Sequence, residues 1–348
     1  MNIVALAPET SPGAAYRSFL PMRALAQRGH RTAFFKWDDL DGVPPPVDAL
    51  RQADVVHMWR YFRTPAHRLM SALREAGVAV VFDTDDDITR VPKGSPAYRG
   101  PASRDSQSKG MSTAMRLAHL VTTTGGDLAG RLRKLGGDVR VVENYVERES
   151  LRAPTRSSRT EVTVGWVAAQ EHREDFKKLG LRRSFQQLIE SQPQVRLVSL
   201  GLDLGLRHER YTHVRGVAFT QLTDAIARFD IGIAPLANTA FNRARSNVKL
   251  KEYAAAGVPW LASAIGPYKD LGDVHGGRLV ADHRWTEELV SLVTDTEEQD
   301  RLRQQATAWA RTQTIGHNVD RWEAVFAEAV ARAGAATSNA RPQAGGPR

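Results

Sequence analysis

Residues 229–263 read FDIGIAPLANTAFNRARSNVKLKEYAAAGVPWLAS. The run 230–235 is short, apolar and closed by Pro235, the pattern of a buried strand ending in a turn. Residues 238–247 are polar and read as a loop. Residues 248–256 predict a compact helix stopped by Gly257, with Pro259 just beyond. Residues 258–263 then predict the next strand. A helix that begins where a parallel strand ends presents unbonded N–H groups and the positive end of its dipole. Phosphate is the natural ligand of such a place.

The same alternation runs outward in both directions. Short apolar runs at 3–7, 32–35, 55–58, 78–82, 120–123 and 139–142 predict strands, with helix-like segments at 14–27, 66–76, 107–116 and 127–135. A second series predicts strands at 162–167, 195–200, 214–217, 231–234, 259–262 and 279–281, with helices at 175–190 and 222–228. Repeated strand–helix–strand units imply parallel sheets. Apolar content falls around 144–160, where Pro154, Ser157 and Ser158 suggest a linker. The expected organisation is an N-terminal Rossmann-like domain over 1–146, a linker over 147–160 and a second Rossmann-like domain over 161–315. A crossover helix over 316–333 packing back on the first domain and a disordered tail over 334–348 complete it. Ligands of such sheets bind beyond the carboxyl ends of the strands, so a cleft between the two domains is the expected site.

The 348 residues carry 48 Lys and Arg against 39 Asp and Glu, a formal charge of +9. That excess fits either an arginine-rich solvated surface or an anionic partner such as a nucleotide, a membrane face or nucleic acid. No cysteine is present, which excludes disulfides, thiolate zinc sites and thiol catalysis. No stretch approaches the roughly 18 apolar residues of a membrane span, so the expectation is a cytoplasmic protein, with peripheral membrane association left open.

Several residues carry chemistry by type and place. Gly13 follows the first strand and would let backbone approach a ligand closely, with Arg17 in the next helix turns. Asp83, Asp85, Asp86 and Asp87 cluster at a strand end. Such a cluster can hold a divalent cation, cap a helix or line an acceptor site; it also calls for a cationic neighbour, Arg60 or Arg90. His172 and Asp175 follow the first strand of the second series. Arg245 and Lys249 flank the helix start at Ser246, Asn247 and Val248, and Glu252 lies one turn in.

In this order and spacing, four segments resemble a GT-B-fold glycosyltransferase near the retaining family 4 group. They are APETSPG from Ala7 with Tyr16 and Arg17, FDTDDD from Phe82, GWVA from Gly165 with His172 and Asp175, and the stretch quoted above. The resemblance implies transfer of a sugar from a nucleoside diphosphate, a UDP- or GDP-sugar, to a hydroxyl acceptor, with retention and without a metal or a permanently bound cofactor. It implies that Glu252 meets the ribose diol, that Ser246, Asn247 and Val248 with Gly13 meet the donor, and that Val217 and Phe219 lie at the base. His172, Arg245 and Lys249 take the catalytic places. Arg17, Asp83, Asp85 and Asp86 fall on the acceptor side. Many relatives keep a carboxylate where this chain has Ala244; the loop FNRARSNVK instead resembles an FN-x-x-KS-x-x-K subgroup, which points to Asn242 as a donor-sugar contact. The acceptor stays open among a glycan, a lipid carrier, a natural product, a protein and a modified DNA base. A non-catalytic nucleotide-sugar binder is the alternative that Ala244 suggests.

Overall fold

The computed structural model describes residues 1–37, 47–95, 98, 100–153 and 160–340. The chain divides into two compact units. One holds Met1–Thr89, Pro101–Val142 and the chain from Asn318 onward; the other holds Arg90–Gly100 and Glu143–His317. The division falls at 142/143, and residues 90–100 belong with the second unit.

The first unit is built on strands β1 (Asn2–Ala7), β2 (Arg31–Lys36), β3 (Val55–Trp59), β4 (Ala79–Asp83), β5 (Leu120–Thr123) and β6 (Val139–Val141). They form one parallel sheet in the order β2-β1-β3-β4-β5-β6. β3 and β4 are buried at every residue, as expected of strands covered on both faces by helices. The order reverses between β1 and β3, so the chain ends leaving those two strands form the switch point of this sheet. The helix Ile315–Ala340 adds its part beyond Asn318 to this unit. Val319, Trp322, Phe326 and Ala329 are buried, Asp320 pairs with Arg28, and Glu323 lies 3.1 Å from His30. This is the expected return of the C-terminal helix. The helix runs to Ala340, so residues 334–340, expected as disordered tail, are helical; 341–348 lie outside the described residues. Pro154, Ser157 and Ser158 of the expected linker also lie outside them.

The second unit is built on β7 (Val162–Ala168), β8 (Val195–Gly201), β9 (Tyr211–Val214), β10 (Ile231–Ala234), β11 (Trp260–Ser263) and β12 (Gly277–Val280). The sheet is again parallel, ordered β12-β11-β10-β7-β8-β9, with its switch point between β7 and β10. One face is packed by Trp166, Phe176, Phe185 and Leu289, the other by Phe229, Leu250, Tyr253 and Trp260. Glycine is required where aromatic rings press on the sheet. A Cβ at Gly232 would lie 2.7 Å from the Tyr253 ring, and one at Gly165 2.1 Å from that of Phe229.

Three local expectations are corrected. The strand expected at 214–217 is Tyr211–Val214, because Tyr211 anchors it by bonding Ser199 and the backbone N–H of Leu204. The helix expected at 175–190 is two helices, Arg173–Lys178 and Leu181–Ser191, broken where Gly180 turns left-handed at φ +63°. The polar loop at 238–247 contains a helical turn, Ala240–Arg243, capped by the Thr239 hydroxyl.

Candidate functional site

At the switch point of the second sheet, β7 leads into a 3₁₀ turn, Gln170–His172, and the helix Arg173–Lys178. β10 leads into the loop around Ala237 and the turn Ala240–Arg243. Hydrogen bonds join the two exits. His172 Nδ1 lies 2.9 Å from Asp175 Oδ2. Asp175 Oδ1 accepts from the Ala237 N–H at 3.0 Å and from Asn242 Nδ2 at 2.7 Å. Asn242 also donates to the Ala237 carbonyl at 2.8 Å. All three side chains are buried. Burial, reinforced by the charge of Arg245, holds the imidazole below its ordinary pKa; the bond to Asp175 opposes this. Asn242, expected at the donor sugar, has its amide nitrogen engaged by Asp175 and Ala237, so its place is in the support of His172.

The helix Val248–Ala255 begins beside this pair. Asn247 is its N-cap in backbone position, and no side chain caps the first turn. The first N–H groups of a helix have no partner within it, so Val248 and Lys249 present theirs at the helix start. Around them stand two cations. Arg245 lies 3.4 Å from Glu171 and over the Phe241 ring. Lys249 Nζ lies 3.8 Å from Glu252 Oε2. Burial lowers the Lys249 pKa against the opposing pull of Glu252, and the nearby charge of Arg245 adds to the lowering. Burial works against ionisation of Glu171, but the charge of Arg245 keeps its carboxyl below the usual range. Glu252 is 8% exposed, held in direction by the helix.

The position of this helix depends on a residue that the sequence did not single out. Lys251 is fully buried, donates to Glu143 Oε2 at 2.6 Å and the Asn144 carbonyl at 2.9 Å, and sits over the Tyr145 ring. Asn144 Nδ2 donates to Ser246 at 3.3 Å, and Asn247 Nδ2 to Glu143 at 3.3 Å. The residues just before the expected linker are thus stitched to the loop. Lys251 stands among Lys249 and Glu252 in the same helix, so nothing in the sequence sets it apart. Tyr253, from the same helix, reaches the sheet: its hydroxyl donates to the Ile233 carbonyl and accepts from the Val167 N–H, tying β10 to β7 at the switch point.

Val217 and Phe219 follow β9. Val217 lines a groove of about 560 Å³ with Val198, Leu200, Val214 and Phe229 along that edge of the sheet, and Phe219 opens the adjoining 3₁₀ turn, Phe219–Gln221.

In the first unit, the switch point gathers the ends of β1, β3 and β4. Gly13 lies in a short helix, Pro12–Ala14, that passes into a π-helical turn, Ala15–Phe19. A Cβ at Gly13 would stand 2.7 Å from the Trp59 indole and 3.2 Å from Asp85 Oδ2, so glycine is what lets these side chains pack that close. Asp85 Oδ1 accepts from Trp59 Nε1 at 2.9 Å and Arg60 Nε at 2.8 Å; Asp86 accepts from Arg60 at 2.7 Å. Arg60 is the cationic partner of Asp85 and Asp86 within the acidic cluster. It adopts φ +60°, a costly backbone for a residue with a Cβ, held by the two carboxylates and by stacking on Trp59. Arg17 and Asp83 differ from expectation. Both are fully buried; Arg17 forks onto Asp83 at 3.1 and 2.6 Å, donates to the Val142 carbonyl and faces the Trp322 ring. With no exposed surface, they brace the unit from within and do not present themselves to an acceptor. Asp87 caps the turn Ile88–Arg90 through the N–H and hydroxyl of Thr89. Among the described residues, no group of three or more His, Asp or Glu is placed to hold a metal ion.

A family described as Glycosyl transferase-like matches residues 173–327, the span that contains the helix start and its cations. No curated protein matches the chain by sequence. Among solved structures, HepE from Anabaena in complex with UDP and glucose superposes with a TM-score of 0.64 at 14% identity, over 94% of this chain and 99% of that one. WaaG, a glycosyltransferase involved in lipopolysaccharide biosynthesis, gives 0.61 at 14% identity, over 93% and 99%. A Listeria monocytogenes protein described as a UDP-N-acetylglucosamine 2-epimerase gives 0.58 at 12% identity, over 93% and 95%. These identities establish the fold, the two-sheet GT-B architecture. The epimerase likeness shows that the fold alone spans more than one chemistry of nucleotide sugars.

Proposed function

For a chain that carries a glycosyl transferase-like domain over residues 173–327 of a GT-B fold, we propose transfer of a sugar from a UDP-sugar to a hydroxyl acceptor, with retention and without a metal. The observation that carries this reading is the uncapped start of the helix Val248–Ala255 with Arg245 and Lys249 beside it and Glu252 one turn in. In this reading the N–H groups of Val248 and Lys249 and the two cations take the diphosphate. Charge-assisted contacts strengthen as negative charge builds on a leaving diphosphate, which places their benefit in the transition state. Glu252 accepts from the ribose diol, Val217 and Phe219 border the base, and His172 faces the donor. Gly13 joins the donor contacts, and Asp85 and Asp86 form the acceptor side. UDP is favoured because HepE is a structural neighbour solved with UDP and with UDP-glucose. A cytoplasmic location and the choice among glycan, lipid, natural-product, protein and modified-DNA acceptors belong to the same proposal.

A thermal-shift screen of UDP-, GDP-, ADP- and TDP-sugars tests it. A ligand that binds only the folded state raises the melting temperature. The expected result is a rise with UDP-sugars that Glu252→Ala abolishes without lowering the melting temperature of the unliganded protein by more than a few degrees. No rise with any nucleotide, or a rise that Glu252→Ala leaves intact, would overturn the assignment.

A further inference from the structure

We propose that Asp175 and Asn242 are positioning residues that hold His172 protonated at Nδ1, so that Nε2 offers its lone pair to a hydroxyl of the donor sugar and not to the phosphates. The identity of the donor rests on the function proposed above; the state of the imidazole does not.

The argument follows the hydrogen bonds. Asp175 Oδ2 faces His172 Nδ1 at 2.9 Å, and a carboxylate oxygen accepts, so the ring hydrogen lies on Nδ1. The other oxygen, Oδ1, is met by two donors, the Ala237 N–H and the Asn242 amide. The carboxylate is thereby locked in rotation, and so is the ring it holds. Burial and the neighbouring charge of Arg245 keep the imidazole neutral. A neutral ring that donates from Nδ1 can only accept at Nε2, and no described residue hydrogen-bonds that atom. Phosphate oxygens carry lone pairs and repel such an atom, whereas a sugar hydroxyl donates to it. Arg245 and Lys249, on the chain leaving β10, supply the positive groups that phosphates need. The relay crosses the switch point, from the exit of β10 to the exit of β7, where ligands of open parallel sheets bind.

Asp175→Asn separates this role from simple packing. The carboxamide oxygen must stay on the Ala237 and Asn242 donors, which turns its NH₂ toward His172 Nδ1. The ring must then accept at Nδ1 and carry its hydrogen on Nε2, with no change of shape. Ring-nitrogen NMR of the full chain reads this directly, with His172 assigned by the loss of its signals in His172→Gln. The wild type should show hydrogen on Nδ1 and Asp175→Asn hydrogen on Nε2. Turnover in Asp175→Asn should fall about 100-fold or more, as an inverted tautomer does in other His–Asp pairs, with UDP affinity kept within about twofold. His172→Gln should weaken UDP-glucose about tenfold and leave UDP unchanged. A wild-type ring protonated at Nε2 would overturn the proposal, as would equal weakening of UDP and UDP-glucose, or full turnover with an inverted tautomer. If Asp175→Asn fails to fold, the wild-type spectrum still decides. If neither UDP nor UDP-glucose binds the wild type, the donor reading fails, while the spectrum still judges the positioning.

Discussion

Asp83 shows how far a residue's role depends on what lies behind it. In sequence it belongs to a row of acids at a strand end. In the structure it is a buried ion-pair partner, bonded to Arg17 and to the Thr122 hydroxyl, with His57 3.6 Å away. Burial alone would raise its pKa, but the charge and hydrogen bonds of Arg17, with His57, bring it down to about 2 from 3.8. The unfolded chain takes up the proton first as pH falls. The pair's contribution is therefore complete above about pH 5 and is lost as pH drops through 3.8 toward 2, a loss of about 2 kcal/mol. Denaturant melts of wild type across pH 5 to 2 measure it. Arg17→Ala should cost about 3–5 kcal/mol at neutral pH because it leaves a buried carboxylate unpaired. A cost under 1 kcal/mol would mean that the pair is not the brace described. Asp85 and Asp86, two and three residues on, pair instead with Arg60 beyond the carboxyl end of the strand. Neighbours in one acidic run thus serve different ends because the strand terminates between them.

At the scale of elements, the close approach of the helix Val248–Ala255 to β10 sets the geometry of the candidate donor site. Tyr253 lies flat against Gly232 and bonds to both β7 and β10, so any change in that spacing moves Glu252 and Lys249 with it. Gly232→Ala should cost about 1–3 kcal/mol through overpacking, because its Cβ would stand 2.7 Å from the ring. It should also weaken nucleotide binding, which calorimetric titration with UDP reads. Unchanged stability and affinity would show that the ring can retreat without consequence. Most strands and the helix after β10 were legible from period and punctuation, because a strand covered on both faces must be apolar throughout. The break at Gly180 and the shift of β9 to Tyr211–Val214 were not, because each is decided by a partner distant in sequence or by one residue's backbone conformation.

For the molecule as a whole, the first unit is assembled from both ends of the chain. The helix Ile315–Ala340 closes it, placing Trp322 against Arg17 and His57 and pairing Glu328 and Arg332 with Arg140 and Asp138. A chain ending at Gln313 lacks that helix. The expected outcome is protease sensitivity confined to the first unit, while the second retains its thermal shift with UDP. Resistance equal to wild type would show that the helix is dispensable. Trp322→Ala should produce the same weakness in milder form, at about 3–5 kcal/mol.

What the sequence determined by itself was the class of the fold and a place chemically suited to an anion. Alternating apolar runs and helices can only bury themselves as parallel sheets, and an uncapped helix start flanked by cations suits an anion wherever it is placed. Tertiary structure alone decided which polar residues are buried in support of others. Arg17, Asp83 and Asn242 have the composition of site residues, but Arg17 and Asp83 are spent on each other and on buried partners, and the Asn242 amide nitrogen is engaged by Asp175 and Ala237. Lys251, unremarkable in sequence, pins the helix that carries Glu252. The physical reason is that a buried charge or amide must find its partner across the fold, and such partners lie 65 or more residues away for Arg17, Asn242 and Lys251 alike.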